Sequence, residues 1–392
     1  MWPLQGQAER GRDGSRPRVL VTADECVGTL ALVRGLADDG FQPFVVVNRD
    51  DTYVARSRHA AAVLQLDDPH GDPAVWARDL AAVAEQLDVD VILPATEASL
   101  CALTGREELF GGRVVGTSSK EALDAAVDKS RLPRLAARHG LRTPPTVAID
   151  PEEPVPDEID APAILKPART VVPSDCELVR GETAIVQDAD EMEAHLEGET
   201  APYIAQPLVD GGLAAVSGLA WRGETLSAMH QRAIRTWPPE AGTTAYSETV
   251  LPDPELEAGV RGVLAEIGWS GVYNFQFLMT DDGPMLIDIN PRVYGSFGLT
   301  LAAGQNLGAA WCRLLLGETV EIPPYEVGAG LHIEVQDVKA LARFARRGRG
   351  REALRALRPR ARGNMATLSV RDPGPALAMS SELWGVVRRH LP

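Results

Sequence analysis

The chain has 392 residues, 45% of them hydrophobic, and a formal net charge of −16. This length predicts two or three domains, and the acidic balance excludes nucleic acid as the main partner, because phosphate binding needs a basic surface. No apolar run reaches the ~18 residues of a membrane helix. The four cysteines are widely spaced, which predicts reduced thiols in a cytoplasmic protein.

The N-terminal part alternates between strands and helices. Residues 1–16 are polar and are expected to form a flexible leader rather than a signal sequence. Apolar runs predict strands at 18–22, 44–48, 63–66 and 90–94, with helical periodicity at 29–36 and 73–87. This alternation is typical of a parallel sheet with helical crossovers. We therefore expect a Rossmann-like domain over 17–120, and the missing G-x-G-x-x-G turn disfavours a nicotinamide dehydrogenase.

The pattern changes in the middle of the chain. A helical stretch at 121–140, broken at Pro133, precedes a linker at 143–162 that is dense in Pro, Asp and Glu. Further elements are predicted as strands at 163–166, 184–187, 203–206, 214–220 and 225–230, a helix at 255–267, a hairpin at 272–290 and a helix at 304–316. We assign 121–323 to a second domain.

Residues 324–392 are expected to form a small C-terminal extension. It holds a predicted strand at 330–335 and a predicted helix at 381–390. Between 343 and 362 lie nine arginines and a single acid, Glu352. We interpret this basic stretch as the solvated face of a helix.

Residues 272–290 predict a β-hairpin. The Asp-Gly pair at 282–283 lies inside a five-residue connection between two alternating strands. We expect Met279 to pair with Met285 across this turn. Because strand residues alternate between faces, Met285, Ile287 and Ile289 would then share an apolar face.

The opposite face of this hairpin would carry four oxygen-bearing side chains. The same register places Gln276 opposite Asp288 and Asn274 opposite Asn290, within about 5 Å across the strands. Hard oxygen donors of this kind suit Mg²⁺, and Arg292 follows at the strand end, where it could meet a developing oxyanion. The composition of this face favours a metal and phosphoryl site over an ordinary solvated hairpin.

These motifs resemble those of a known family. The segments NFQF (274–277) and DINPR (288–292) look like the metal-binding hairpin of ATP-grasp enzymes, particularly the branch similar to carbamoyl-phosphate synthase. The resemblance extends over about residues 18–318 and includes DVILP (90–94), ILKP (164–167) and IAQPLV (204–209). It implies an ATP-grasp fold of mixed α/β and α+β structure, with the Rossmann-like domain at its N terminus. Within 121–323 it implies a lid at about 160–205 and a metal-binding core at about 206–318. It also implies ATP and Mg²⁺ (or Mn²⁺) as cofactors.

The resemblance also implies roles for individual residues. Lys129 and Lys166 would contact the ATP phosphates, and Arg292 the transferred phosphoryl or acyl-phosphate oxygens. The nucleoside would be held by five hinge residues: Gln206, Pro207, Leu208, Val209 and, as the nearest candidate for the ribose, Asp210. The metal would be held by Gln276, Asp288 and Asn290.

The acceptor site is expected between the hinge and the hairpin. There Arg232 or Arg235 would pair with a substrate carboxylate, and His230 is a further substrate candidate. On one strand, His230 and Arg232 would share a face and Arg235 would lie on the opposite face. Glu97, after the strand at 90–94, could hold a substrate ammonium group or could instead stabilise a helix N-terminus.

Together these features predict an ATP-dependent carboxylate–amine ligase that forms an amide through an acyl phosphate and releases ADP. Its partners would be small-molecule carboxylates and amines, without membrane or nucleic-acid partners. The protein would be cytoplasmic, and the sequence leaves both a homodimer and a monomer open. Two alternatives stay open. One is an enzyme that forms carboxy- or carbamoyl-phosphate from bicarbonate. The other is a non-catalytic nucleotide-binding module, because residues 166–176 lack the glycine that admits phosphate close to the backbone.

Overall fold

A computed structural model describes residues 16–23, 26–156, 159, 161–174, 177–238, 242–346 and 363–380. The chain there forms a parallel sheet of five strands, an antiparallel sheet of four, a mainly antiparallel sheet of seven and one separate hairpin. None of the helices within these ranges is long and apolar enough to cross a bilayer.

The N-terminal part is the predicted parallel sheet. Its strand order is β3-β2-β1-β4-β5, and all its pairs are parallel. The strands are β1 (Arg18–Ala23), β2 (Gln42–Val47), β3 (Ala62–Gln65), β4 (Val91–Pro94) and β5 (Val114–Val115), and the helices are α1 (Val27–Asp38), α2 (Pro73–Gln86) and α3 (Glu97–Leu103). Apolar strands buried on both faces and joined by helices form this kind of sheet, so the predicted Rossmann-like architecture is confirmed.

A four-stranded antiparallel sheet follows, with strand order β10-β7-β11-β6. The elements are α4 (Lys120–Val127), α5 (Leu132–Arg138), β6 (Val147–Ile149), β7 (Ala163–Pro167), β8 (Val171–Ser174), β9 (Glu177–Arg180), β10 (Ala184–Val186), α6 (Ala189–Leu196) and β11 (Tyr203–Pro207). Pro133 lies in the first turn of α5, where its missing N–H is tolerated, so two helices replace the single broken one. The predicted linker at 143–162 is partly wrong, because β6 within it pairs with β11.

The largest sheet has seven strands in the order β16-β15-β12-β13-β14-β17-β18. Its strands are β12 (Gly212–Trp221), β13 (Glu224–Trp237), β14 (Thr243–Thr249), β15 (Gly271–Thr280), β16 (Gly283–Asn290), β17 (Gly330–His332) and β18 (Gly363–Met365). The accompanying helices are α7 (Pro254–Ile267), α8 (Gly298–Ala302), α9 (Leu307–Leu315) and α10 (Glu334–Arg346). The strand β14 had no counterpart in the sequence prediction.

The C-terminal extension is part of this sheet. Strand β17 pairs with β14 and β18 pairs with β17, so the residues after 324 complete the sheet. The strand predicted at 330–335 ends early, since α10 begins at Glu334. Most of the arginine-rich stretch, residues 347–362, and the helix predicted at 381–390 lie outside the described residues.

Two contacts join the C-terminal extension and the large sheet to the N-terminal sheet. Asp372 is fully buried and its carboxylate accepts hydrogen bonds from Arg34 Nε at 2.9 Å, Ser57 Oγ at 2.7 Å and the Arg58 backbone N–H at 2.9 Å. At Gly28 in α1, a Cβ atom would lie 2.1 Å from the carbonyl oxygen of Tyr294. Only glycine permits this approach, which brings α1 against the segment that follows β16.

Candidate active site

The β15–β16 hairpin presents the predicted polar pairs. Asn274 lies opposite Asn290, and Gln276 lies opposite Asp288. The turn differs from the prediction, because Thr280 pairs with Gly283 and only two residues connect the strands.

A β-bulge next to Gln276 compensates for the shorter turn. Met279 pairs with Pro284 and not with Met285, and the register shifts by one residue between Gln276 and Phe277. The predicted apolar face is therefore corrected. Leu286 is fully buried and joins Ile289 in the core, whereas Met285 and Ile287 are only partly buried. An extra residue in one strand reverses the faces on its two sides.

Two of the chain's four lysines converge on Asp288. Lys129 Nζ donates to Thr170 Oγ1 at 2.9 Å and lies 3.8 Å from Asp288 Oδ1. Lys166 on β7 donates to Gln206 Oε1 at 3.1 Å. Burial lowers the pKa of Lys166, the nearby charge of Asp288 opposes this shift, and the charge of Lys129 adds to it. Two ammonium groups beside a single carboxylate leave positive charge available for phosphate.

The donor set on the hairpin fits a magnesium ion that arrives with a nucleotide. Asp288 supplies one carboxylate, and Gln276 and Asn290 supply amide oxygens. Mg²⁺ usually binds one or two carboxylates and completes its shell with phosphates and water. Within the described ranges, no three or more His, Cys, Asp or Glu residues are grouped so that they could hold a metal ion. A Mg²⁺ ion on the hairpin would therefore need phosphate or water oxygens as additional ligands.

Arg292 lies directly after the hairpin, as predicted. Its Nη2 donates to Asn290 Oδ1 at 3.2 Å and its Nη1 to the Val293 carbonyl oxygen at 2.9 Å. Arg292 Nε is 3.7 Å from a carboxylate oxygen of Glu97, whose side chain is only 9% exposed in the first turn of α3. The structure thus places Glu97 against this arginine. The ammonium-binding role of Glu97 stays a prediction.

A cavity of about 560 Å³ extends from these residues along the large sheet. Its lining includes Asn274, Gln276, Asp288, Asn290, Arg292 and Tyr294 at one end, and Gln231, Thr243, Thr244, Glu334, Gln336 and Thr367 towards the other. The second group was missed by the sequence analysis. Gln231 follows directly after His230 and lies on the opposite face of β13. Strand periodicity therefore signals that these two neighbours face different sides.

The arginines expected at the acceptor site lie elsewhere. Arg235 forms a nearly buried bidentate pair with Asp337 at 2.5 and 2.7 Å, and it stacks 4.9 Å above the Tyr246 ring. The Arg232 side chain is 61% exposed and lies 3.7 Å from Glu248. This geometry does not support a substrate-carboxylate contact, because Arg235 is already neutralised and Arg232 faces solvent.

His230 is also separate from the described lining of the cavity. It is 4% exposed, and its Nε2 lies 3.6 Å from Glu257 on α7. Burial lowers the pKa of His230, against the opposing effect of the Glu257 and Asp253 charges. A role in substrate binding is therefore not supported by its position.

The hinge region follows β11. Gln206 is buried, and its Nε2 donates to Thr146 Oγ1 at 3.0 Å. Pro207 ends the strand, and the backbone N–H of Leu208 donates to the Pro162 carbonyl oxygen at 3.1 Å. The contacts predicted between the nucleoside and Gln206, Pro207, Leu208, Val209 and Asp210 stay predictions.

The glycine-free segment forms the β8–β9 hairpin, which packs against the N-terminal sheet. Leu178 is buried in the same core as Trp76, and its backbone N–H donates to the His70 carbonyl oxygen at 2.8 Å. Before the hairpin, Arg169 Nη1 donates to Asp124 at 2.8 Å. This segment is therefore held to its neighbours by a side-chain hydrogen bond before the hairpin and a backbone hydrogen bond within it.

Comparisons with known proteins agree with this geometry. Residues 200–339 match a family model described as "ATP-grasp in the biosynthetic pathway with Ter operon". The carbamoyl phosphate synthase large chain of Vibrio cholerae is 23% identical over 324 residues, which cover 77% of this chain and 29% of that protein. The chain thus spans less than a third of the length of this relative.

Two solved structures show the fold. An L-amino acid ligase from Bacillus licheniformis aligns with a TM-score of 0.56 at 15% identity, covering 78% of this chain and 75% of that one. The biotin carboxylase domain of the Hydrogenobacter thermophilus 2-oxoglutarate carboxylase, a domain dimer in complex with MgADP and bicarbonate, aligns with a TM-score of 0.57 at 16% identity, covering 80% and 73%. The predicted cofactors, ATP and Mg²⁺, are those that ATP-grasp enzymes use. The chain therefore has the fold of these solved enzymes, and residues 200–339 match the ATP-grasp family model.

Proposed function

We propose that this protein joins a small-molecule carboxylate to an amine in an ATP- and Mg²⁺-dependent reaction that releases ADP and phosphate. The observation that carries the proposal is that Lys129 and Lys166 lie beside Asp288, which lines a cavity of about 560 Å³ together with Arg292. The rest of the cavity provides room for an organic substrate next to the phosphate end.

The cavity is too long for bicarbonate alone. The paired positions Asp288, Gln276, Ala215 and Gln231 lie on four adjacent strands. Neighbouring strands are about 4.8 Å apart, so the backbone at Gln231 lies about 14 Å from that at Asp288. A site for bicarbonate needs only the first few ångströms of this length, and this favours the carboxylate–amine ligase over the bicarbonate alternative.

In the proposed mechanism, Lys129 and Lys166 would hold the triphosphate, and Gln276, Asp288 and Asn290 would hold Mg²⁺. The bound ion would neutralise charge on the phosphate oxygens. A carboxylate oxygen attacks the γ-phosphorus in line, the bond to the β–γ bridging oxygen breaks, and ADP leaves. Arg292 donates hydrogen bonds to the negative oxygens of the resulting acyl phosphate.

The second step forms the amide. The amine nitrogen attacks the carbonyl carbon of the acyl phosphate, the carbon–oxygen bond to phosphate breaks, and the nitrogen loses its proton to the departing phosphate. Water must be kept out, because it would hydrolyse the acyl phosphate. The β8–β9 hairpin is the element closest in sequence to the phosphate-binding lysines that could cover this end.

ADP release by the purified protein with Mg·ATP tests the proposal. A panel of amino acids and other carboxylates is supplied with and without amines, and with and without bicarbonate. ADP that requires both a carboxylate and an amine supports the ligase. Stimulation by bicarbonate alone would replace the ligase by the bicarbonate enzyme, and tight ATP binding without ADP from any mixture would favour the nucleotide-binding module. The cytoplasmic location stays a prediction, and the choice between homodimer and monomer stays open.

A further inference from the structure

The floor of the cavity contains two buried amide groups whose carbonyl oxygens accept no hydrogen bond from the described part of the chain. These are Oδ1 of Asn274 on β15 and Oε1 of Gln231 on β13. The two residues are 2% and 5% exposed, and both line the cavity. Buried polar groups are nearly always paired within a protein. Two unpaired acceptors in one cavity therefore indicate a place where a ligand supplies the partner.

Serine hydroxyls hold the amide nitrogens of both residues. Ser217 on β12 lies between the two amides, with its Oγ at 2.9 Å from Asn274 Nδ2 and 3.3 Å from Gln231 Nε2. The Oγ of Ser296 lies 3.0 Å from the same Gln231 Nε2. Each amide thus donates through its NH₂ group, and its carbonyl oxygen is left to accept from a ligand.

The charges around the floor disfavour a second carboxylate on the substrate. Among the described residues that line the cavity, the charged side chains are Asp288, Arg292 and Glu334. Arg292 lies at the phosphate end beside Glu97. Glu334, at the far end, accepts hydrogen bonds from the backbone N–H groups of Thr367 and Leu368, both at 2.8 Å. A second carboxylate at the floor would thus be buried close to Glu334 with no free cation from the described lining.

We propose that Gln231 and Asn274 form a specificity subsite that reads an uncharged hydrogen-bond donor on the substrate, such as a carboxamide or hydroxyl group. The subsite would reject an isosteric carboxylate, which has no hydrogen to donate and carries the same charge as Glu334. Ala215, which pairs with Gln231 and Gln276, leaves the space between them for this group. The inference rests on the proposed ligase function and specifies its substrate.

Pairs of isosteric ligands test this subsite directly. Glutamine and glutamate, and asparagine and aspartate, are titrated into the full-length protein loaded with Mg²⁺ and a non-hydrolysable ATP analogue. We expect the amide member of at least one pair to bind about 10- to 100-fold more tightly, since the lost hydrogen bond and the buried charge both act against the acid. Equal binding, preference for the acid, or binding of neither member would overturn the subsite.

Two variants assign the selectivity to the floor. Gln231→Leu is close in size and removes the amide, so the preference for the carboxamide ligand should fall at least tenfold. Gln65→Leu makes the same change at an exposed position on β3 and should leave the preference unchanged. If Gln231→Leu fails to fold, Asn274→Leu replaces it. Full selectivity in a folded floor variant would contradict the inference.

The ligase proposal and the subsite can fail separately. ADP release is measured on the same ligand pairs with amines present. Selective binding without any ADP would overturn the ligase function and leave the subsite standing. ADP release that does not distinguish amide from acid, together with unselective binding, would leave the ligase standing and remove the subsite.

Discussion

Asp288 is the single carboxylate among the predicted Mg²⁺ ligands, and Asp288→Asn removes its charge while keeping its shape. Lys129 Nζ lies 3.8 Å from Asp288 Oδ1. Two unit charges about 4 Å apart at an effective dielectric constant of ~20 interact by about 4 kcal/mol. At about 1.4 kcal/mol per factor of ten in rate, loss of one such interaction with bound cationic charge predicts a fall of roughly 10³-fold in the kcat/KM of ADP formation.

The fold should tolerate this change. The Asp288 side chain is 25% exposed, and its Oδ1 accepts a hydrogen bond from the Ile289 backbone N–H at 3.0 Å, which asparagine can also accept. We therefore expect the free energy of unfolding to change by about 1 kcal/mol or less. Denaturant unfolding and ADP release are measured on the same preparation. Asp281→Asn, in the exposed turn of the same hairpin, serves as the matched control.

Either of two results would refute this reasoning. If Asp288→Asn retains ADP formation within tenfold of the wild type, Asp288 is not the metal-binding carboxylate. If Asp281→Asn loses activity to the same extent, the effect belongs to the hairpin as a whole and not to the polar face at Asp288.

Three further changes probe the nucleotide site and the fold. Lys166→Met should weaken ATP binding at least tenfold in a calorimetric titration. Lys120→Met, at an exposed lysine, is the control and should not weaken it. Equal effects of the two substitutions would contradict the role of Lys166 in phosphate binding. Gly28→Ala should lower the free energy of unfolding by about 2 kcal/mol or more, because its methyl group would lie 2.1 Å from a backbone oxygen. Gly71→Ala, with its nearest atom at 3.5 Å, is the control. Asp372→Asn should cost about 3 kcal/mol at pH 7. Burial acts to raise the pKa of Asp372, but its hydrogen bonds outweigh burial and depress it. This contribution should therefore begin to fall as the pH drops below about 4 and be lost below the depressed pKa of the folded state. An unchanged difference at pH 3 would refute the assignment.

The hairpin shows both the reach and the limit of prediction from strand periodicity. The pairs Gln276–Asp288 and Asn274–Asn290 were predicted correctly. The two-residue turn and the bulge were not predicted. The shorter turn shifts the pairing by one residue, and the bulge shifts it back, so the pairs at the polar end of the hairpin are unchanged. A bulge is selected by how the strand packs against its neighbours, and here the fully buried Leu286 takes the core position next to Phe277. Local sequence carries little information on that choice.

The acceptor site was harder to predict because distant segments decide which side chains are free. Arg235 and Asp337 are 102 residues apart and form a buried pair. The sequence alone does not indicate that α10 packs on β13. Without this contact, Arg235 has no evident ion-pair partner and resembles a cation available for substrate. Gln231, four residues earlier, becomes notable only when Ser217 and Asn274 are seen beside it.

The two ends of the cavity therefore differ in how the sequence encodes them. The proposed metal ligands and Arg292 all lie on one hairpin and the residues directly after it, within 271–292, so a single local motif indicates the type of chemistry. The far end combines β13, β14, the start of α10 and Thr367 beyond β18, and it closes only because β17 and β18 extend the large sheet. A short sequence motif cannot specify a cavity lining that comes from segments so far apart in the chain. For this reason the sequence indicates the class of reaction, while the substrate has to be inferred from contacts that only the folded chain brings together.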